Sequence, residues 1–223
     1  MNAQRGSARP ARKRLPRAAK QTTLTRKAAP IPRILTIGHS TRPIDEFIAL
    51  LKSHDVTRLV DVRTVPRSRH NPQFNRDELP VSLNAAGISY LHLPALGGLR
   101  RTSAESVNTG WRNTSFRGYA DYMQTAEFRS AVDQLIEFAE HDRLALMCAE
   151  AVPWRCHRSL IADALLVRGI QTEDIRSTTQ RMPHRLTPFA SVRGTKITYP
   201  PENSVSPTKV TKRRPKPTRI LKP

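Results

Sequence analysis

Residues 144–169 read LALMCAEAVPWRCHRSLIADALLVRG, and they hold the only two cysteines of the chain, Cys148 and Cys156. Leu144-Ala145-Leu146-Met147 is a short apolar run bounded by polar residues, the pattern of a strand buried on both faces. A turn marked by Pro153 follows, and then Leu160, Ile161, Ala164, Leu165 and Val167 recur at helical spacing. Arg158, Asp163 and Arg168 fall elsewhere around that helix, and Gly169 stands where a helix C-cap belongs. The stretch therefore predicts strand, polar turn, helix. It puts Cys148 at the carboxyl end of the strand and Cys156 near the helix N-terminus.

Working outward, the same alternation repeats. Ile34-Leu35-Thr36-Ile37 predicts a strand running into Gly38-His39-Ser40, and Pro43 opens a helix with Phe47, Ile48, Leu50 and Leu51 on its apolar side. Leu59-Val60-Asp61-Val62 predicts a second strand ending in Arg63, and a polar loop over 65–72 contains Arg67 and Arg69. A short helix after Pro80 stops at Gly87, and residues 88–93, which include His92, predict a third strand. Residues 99–115 predict a long irregular loop of the kind that serves as a lid or binding loop. Helices are expected over 116–123 and 126–140, and a last strand around 174–177. Strands alternating with helices predict an α/β domain with a mainly parallel sheet flanked by helices, over residues 33–199.

That topology bears on function, because open α/β sheets bind ligands beyond the carboxyl ends of their strands. The ends here are His39-Ser40, Asp61 with Arg63, His92, and Cys148 with Glu150. His39, Asp61, Arg63, Cys148 and Glu150 are therefore expected to line one cavity. Cys148, Glu150, His39 and Asp61 are the candidate catalytic groups. Arg63, Arg67, Arg69, His92, Arg155, Cys156, His157 and Arg158 are the candidate substrate- or phosphate-binding groups. Cations and a helix N-terminus stabilise a thiolate, and a carboxylate beside it can act as general acid or base. The plainer alternative is two buried structural cysteines and a Glu–Arg ion pair.

Charge is unevenly spread along the 223 residues. Residues 1–33 contain ten Lys and Arg and no acid, and residues 201–223 contain seven and a single acid, Glu202, so the ends hold +16 of the net +20. Pro, Ala, Thr and basic residues dominate both ends, which predicts disordered basic tails over 1–32 and 200–223, with nucleic acid as their expected partner. Between them, residues 34–200 hold 19 Arg and only Lys52 and Lys196, and Arg is the residue suited to bidentate phosphate recognition and base stacking. No apolar run of 18 residues and no secretory h-region is present, so no membrane span is expected. Two cysteines without a disulfide framework suit the cytoplasm.

Motifs in order along the chain carry a family resemblance. They are Thr36-Ile37-Gly38-His39-Ser40; Leu59-Val60-Asp61-Val62-Arg63 with Pro66 and Ser68-Arg69; Phe74-Asn75; Gly87-Ile88-Ser89-Tyr90 through Leu96-Gly97-Gly98; Tyr119-Ala120-Asp121-Tyr122-Met123; and Leu146-Met147-Cys148-Ala149-Glu150 with Cys156-His157-Arg158. On these the chain resembles the bacterial family known as domain of unknown function 488, over about residues 33–180. The resemblance implies a compact α/β domain and carries no settled activity, although some members are loosely labelled as DNA-repair proteins.

Cys148-Ala149-Glu150 supplies half of a zinc-deaminase pattern, and Pro153-Trp154-Arg155-Cys156 completes only one cysteine of the other half. A zinc site from Cys148, Cys156, His157 and a fourth ligand such as His39 fits the residue types, although a C-x7-C-H spacing is not a standard one. No P-loop and no Gly-x-Gly-x-x-Gly is present. Two classes of function remain. One is an enzyme acting on nucleic acid or a nucleotide-like, phosphate-bearing substrate. The other is a non-catalytic nucleic-acid-binding module.

Overall fold

Six strands form one sheet in the order β3-β2-β4-β1-β5-β6. The structure is a computed structural model that describes residues 33–201. The basic ends expected over 1–32 and 200–223 lie outside the described residues, apart from residues 200 and 201. The strands are β1 (Arg33–Gly38), β2 (Arg58–Asp61), β3 (Ser89–His92), β4 (Leu144–Cys148), β5 (Gln171–Ile175) and β6 (Arg181–Pro183). The first five pair in parallel, and only β6 runs antiparallel, against β5. Two further short strands, β7 (Ser191–Arg193) and β8 (Lys196–Thr198), make a separate hairpin.

Among the described residues five α-helices cover the sheet: α1 (Ile44–Lys52), α2 (Leu79–Ala85), α3 (Thr114–Tyr122), α4 (Ala126–Ala139) and α5 (Arg158–Leu166). Local chemistry sets their ends. Asn113 caps α3 by accepting from the Ser115 and Phe116 amides, and Thr125 caps α4 by accepting from Phe128. Gly169 takes a φ of +80° just past α5, the left-handed conformation that ends a helix at little cost to glycine.

The pleat divides the core in two. Leu35, Ile37, Leu59, Ala145 and Met147 face Phe47, Leu50 and Leu51 of α1 and Leu79 and Leu83 of α2. Ile34, Val60, Leu144, Leu146 and Cys148 face Tyr119 of α3, Phe128, Val132 and Leu135 of α4, and Leu160, Ile161 and Leu165 of α5. The chain therefore leaves β1 toward one face and leaves the adjacent β4 toward the other. Between those diverging connections a crevice opens at the carboxyl edge, the place where ligands bind in such sheets.

The last strand of the parallel set begins earlier than sequence periodicity predicts, at Gln171 rather than near Asp174. Its buried residues Thr172 and Asp174 are polar, so no hydrophobic alternation marks it. Asp174 is held inside by Thr36 Oγ1 at 2.8 Å and by Arg158 at 3.3 Å. Residues from Arg158 through Leu165 of α5 are all buried, including Arg158 and Asp163, which lie off its apolar stripe. Asp163 accepts from Tyr199 and the Thr187 amide and pairs with His184 at 2.7 Å, so its carboxylate ties the β8 end of the chain to the helix.

Candidate active site

A cavity of about 740 Å³ lies at the crevice, lined among others by His39, Arg63, Arg67, Cys148, Glu150, Arg155, Cys156 and His157. The loop between β4 and α5 makes its floor. That loop is pinned to β1, where the His39 and Ser40 amides donate to the Cys148 and Ala149 carbonyls at 3.0 and 2.9 Å. Gly38 permits this approach, because a Cβ there would run into the Glu150 carbonyl oxygen and the Ala151 Cα. The chain then turns through a short 3-10 segment, Pro153–Arg155, and returns Cys156 to the side of Cys148. The irregular sequence spacing of the two cysteines thus conceals a close spatial pair.

The sulfurs of Cys148 and Cys156 and a ring nitrogen of His157 all lie within 4.8 Å of one another. His157 Nδ1 is 3.7 Å from Cys156 Sγ, and Nε2 is 3.0 Å from the Val62 carbonyl oxygen, to which it can only donate. That bond fixes the ring and directs Nδ1 at the sulfurs. Arg158 donates from Nε to Cys156 Sγ at 3.5 Å and from Nη2 to the Glu150 carbonyl at 2.7 Å. The Cys156 thiol is held well below its ordinary pKa, first by the hydrogen bond with Cys148 and then by His157 and the Arg158 charge, against the opposing effect of burial. Cys148, donating to Cys156 and buried, is pushed up instead. Of the two cysteines, Cys156 is therefore the more acidic.

The other expected residues divide sharply. His39 lines the cavity but is neutral: burial lowers its pKa to about 4. Its Nδ1 donates to the Ser40 carbonyl at 2.7 Å and its Nε2 accepts from Arg63 Nη1 at 3.2 Å, while the ring stacks on Phe74 at 4.1 Å. With both nitrogens engaged it is neither a free base nor a fourth metal ligand. Asp61 does not line the cavity, contrary to the expectation from its strand end. It is fully buried beneath it, receiving Arg63 Nε at 2.9 Å, Arg63 Nη2 at 2.6 Å and the Tyr90 hydroxyl at 2.9 Å. Arg63 also donates to the Phe74 carbonyl at 2.7 Å, so this guanidinium is mostly consumed in holding the floor. His92 lies below the site as well, donating to the Arg63 carbonyl at 2.9 Å. Arg158 stands behind Cys156, paired with Asp174, whose carboxyl is raised chiefly by burial. Arg69 is exposed and outside the cavity lining.

Arg67 and Arg155 are different. Both are exposed, both line the cavity, and neither side chain has a hydrogen-bond or ion-pair partner among the described residues. Glu150 also faces the cavity, with Oε1 accepting from the Val152 amide at 3.2 Å. Sequence reasoning missed Tyr119, Gly98, Ser68 and Asn71, which also line the cavity. Their signal was present but ambiguous, since a tyrosine in an apolar helix face and a Ser-Asn loop read equally as core and turn. Ser40 and Leu99, also in the lining, have φ of 51° and 58°, strained values for non-glycine residues that persist where surrounding structure enforces them and cluster at functional sites.

A family model described as "Domain of unknown function DUF488" matches residues 43–165, from α1 to the end of α5, and so spans Arg63, Arg67 and the whole cysteine loop. No curated protein and no solved structure matches the chain.

Proposed function

The chain belongs to the DUF488 family of domains of unknown function, and from that premise we propose that it is an enzyme acting on a phosphate-bearing substrate, nucleic acid or nucleotide, in the cavity above Cys148, Cys156 and His157. One observation carries the reading: Arg67 and Arg155, whose side chains have no partner among the described residues, flank a sulfur–imidazole floor in one cavity. A guanidinium left free at a cavity wall presents a planar fork of donors to phosphate oxygens. The remaining Nη1 proton of Arg63, not used on His39, adds a third donor at the floor. Glu150 is the acid–base group, being the one carboxylate in the lining. Two thiols and an imidazole are a donor set that suits zinc as cofactor. Free thiols fit a reducing compartment, the cytoplasm. The basic ends would supply affinity for nucleic acid at large, leaving selection to the cavity.

Turnover of a panel tests this: a nucleotide, an activated phosphodiester and end-labelled single- and double-stranded oligonucleotides, assayed over a salt series. Cys156→Ser should abolish turnover, while Arg67→Ala and Arg155→Ala should each raise KM about tenfold, roughly 1.4 kcal/mol of lost phosphate contact. Deleting residues 1–32 and 202–223 should flatten the salt dependence of binding and leave turnover of the nucleotide unchanged. Oligonucleotide binding that survives Cys156→Ser with no turnover of any substrate would instead make the domain a non-catalytic binding module.

A further inference from the structure

We propose that Cys148 Sγ, Cys156 Sγ and His157 Nδ1 are the three protein ligands of a zinc ion whose fourth position opens on the cavity, so that the nucleophile is a metal-bound water and not a cysteine. The inference deepens the reading of the cavity as an active site and rests on it only for the identity of the substrate.

Geometry supports it first. Zn–S bonds of about 2.3 Å and Zn–N bonds of about 2.0–2.1 Å at tetrahedral angles separate sulfur from nitrogen by about 3.6 Å and two sulfurs by about 3.8 Å. Cys156 Sγ and His157 Nδ1 are 3.7 Å apart, and the second sulfur completes a group in which every pair lies within 4.8 Å. The surroundings are those of a ligand set. A metal-binding histidine characteristically donates its other ring N–H to a carboxylate or backbone carbonyl, and His157 Nε2 donates to Val62 O at 3.0 Å. The Arg158 Nε–H bond to Cys156 Sγ supplies the N–H···S contact that steadies a metal thiolate. Space is kept around the donor nitrogen too: a Cβ on Gly98 would come to 3.2 Å from His157 Nδ1, and the Tyr119 ring packs against the imidazole with ring centroids 5.1 Å apart.

The open position follows from what is missing around the triplet. All three ligand residues line the cavity, and among the described residues no fourth histidine, cysteine or carboxylate joins their group. His39, the nearest candidate by sequence, has both nitrogens engaged. Three protein ligands with a solvent-facing fourth position are the arrangement of catalytic rather than structural zinc. At that position water gives a proton to the Glu150 carboxylate. Its oxygen then forms a bond to phosphorus, and the ester P–O bond breaks, the departing oxygen taking the proton back from Glu150. Arg67 and Arg155 hold the remaining phosphate oxygens.

The test uses the full chain, stripped with chelator under reducing conditions and titrated with cobalt(II) and with zinc. One equivalent of cobalt should give a near-ultraviolet thiolate-to-metal charge-transfer band and the visible bands of a four-coordinate ion. Inorganic phosphate or a substrate-like phosphodiester should shift the visible bands by entering the open position. Cys148→Ser and His157→Gln should each weaken binding at least tenfold, and Gly98→Ala, which crowds Nδ1 without removing a ligand, about tenfold. Circular dichroism identifies any variant that has merely unfolded, and Gly98→Ala and His157→Gln provide separate readouts of the same nitrogen. Absence of the charge-transfer band, a band unaffected by His157→Gln, or a Cys148–Cys156 disulfide found by mass in place of metal overturns the site. Turnover that persists in the metal-free chain overturns it as well while leaving the proposed function standing. Metal bound in this way without turnover of any phosphate ester retains the site and removes the function.

Discussion

His39 shows how a residue at the right strand end can be built for position instead of proton transfer. Its imidazole is stacked on Phe74, donates to the Ser40 carbonyl and accepts from Arg63, and burial is the largest reason its pKa falls to about 4. Because the folded protein resists protonating this ring, the unfolded chain takes up the proton first. The stabilisation is full above the ordinary value of 6.5 and is lost as pH falls from there toward 4. A shift of that size corresponds to about 3 kcal/mol. Urea unfolding compared at pH 7 and near pH 4 should show this loss, and His39→Gln, which retains a donor and an acceptor, should make the profile flatter. The His39 ring proton resonance should not titrate near neutrality; a midpoint close to 6.5 would contradict the arrangement. Asp61 and Arg63 make the same point from the other side, as a bidentate pair whose removal by halves would leave a buried charge.

At the scale of elements, the site depends on two connections leaving adjacent strands in opposite directions. The β1–α1 and β4–α5 loops touch at Gly38, where the Glu150 carbonyl occupies the space of a side chain. Gly38→Ala cannot be absorbed by a rotamer change, since the neighbours are backbone atoms on both sides. The loop must shift, breaking the His39–Cys148 backbone bond and the Arg158 bond to the Glu150 carbonyl. Destabilisation on the order of 3 kcal/mol is expected, together with faster alkylation of Cys156 in the native state. Thermal denaturation and a thiol-labelling time course measure the two effects. A fully stable Gly38→Ala chain with unchanged labelling would mean that the two loops are not packed as described. Helix α5 contributes differently, by burying Arg158 and Asp163 on what would ordinarily be a solvent face, so that it clamps the cysteine loop at one end and the chain end near Tyr199 at the other.

Over the whole molecule, the four tyrosines report on the integrity of the fold. The chain has four, Tyr90, Tyr119, Tyr122 and Tyr199. Burial is the leading cause that raises every one of their phenols above the ordinary value of 10, Tyr122 to about 12 and the others further. The folded state thus keeps protons that the unfolded chain releases, and stability is present below pH 10 and lost as pH rises beyond it. Phenolate absorbance should stay flat through pH 10 and then appear together with the loss of circular dichroism, in one transition. Gradual ionisation near pH 10 with the fold intact would show that the hydroxyls are not enclosed. Described residues contain no helix long and apolar enough to cross a membrane.

Periodicity and punctuation in the sequence determined the alternating strands and helices, the mainly parallel sheet and which polar residues end its strands. Apolar runs such as Leu144-Ala145-Leu146-Met147 and the glycines past α2 and α5 act through local conformation and burial, which are written in neighbouring residues. The family, too, was legible from its motifs. What the tertiary structure alone decided is which polar group faces the cavity and which one supports it. Asp61 and Arg155 are both polar residues near the carboxyl edge, yet Asp61 is sealed beneath the floor by Arg63 and by Tyr90 from the neighbouring strand, while the Arg155 side chain stands at the wall with no partner among the described residues. The strand through Thr172 and Asp174 escaped periodicity for a similar reason: its inward carboxylate, Asp174, is satisfied by Thr36 of β1 and Arg158 of α5. The eight-residue step from Cys148 to Cys156 looks irregular in sequence, and only the loop's return against β1 turns it into a pair of sulfurs beside one imidazole. Long-range satisfaction of buried polar groups is a property of three dimensions, and it is there that this site is made.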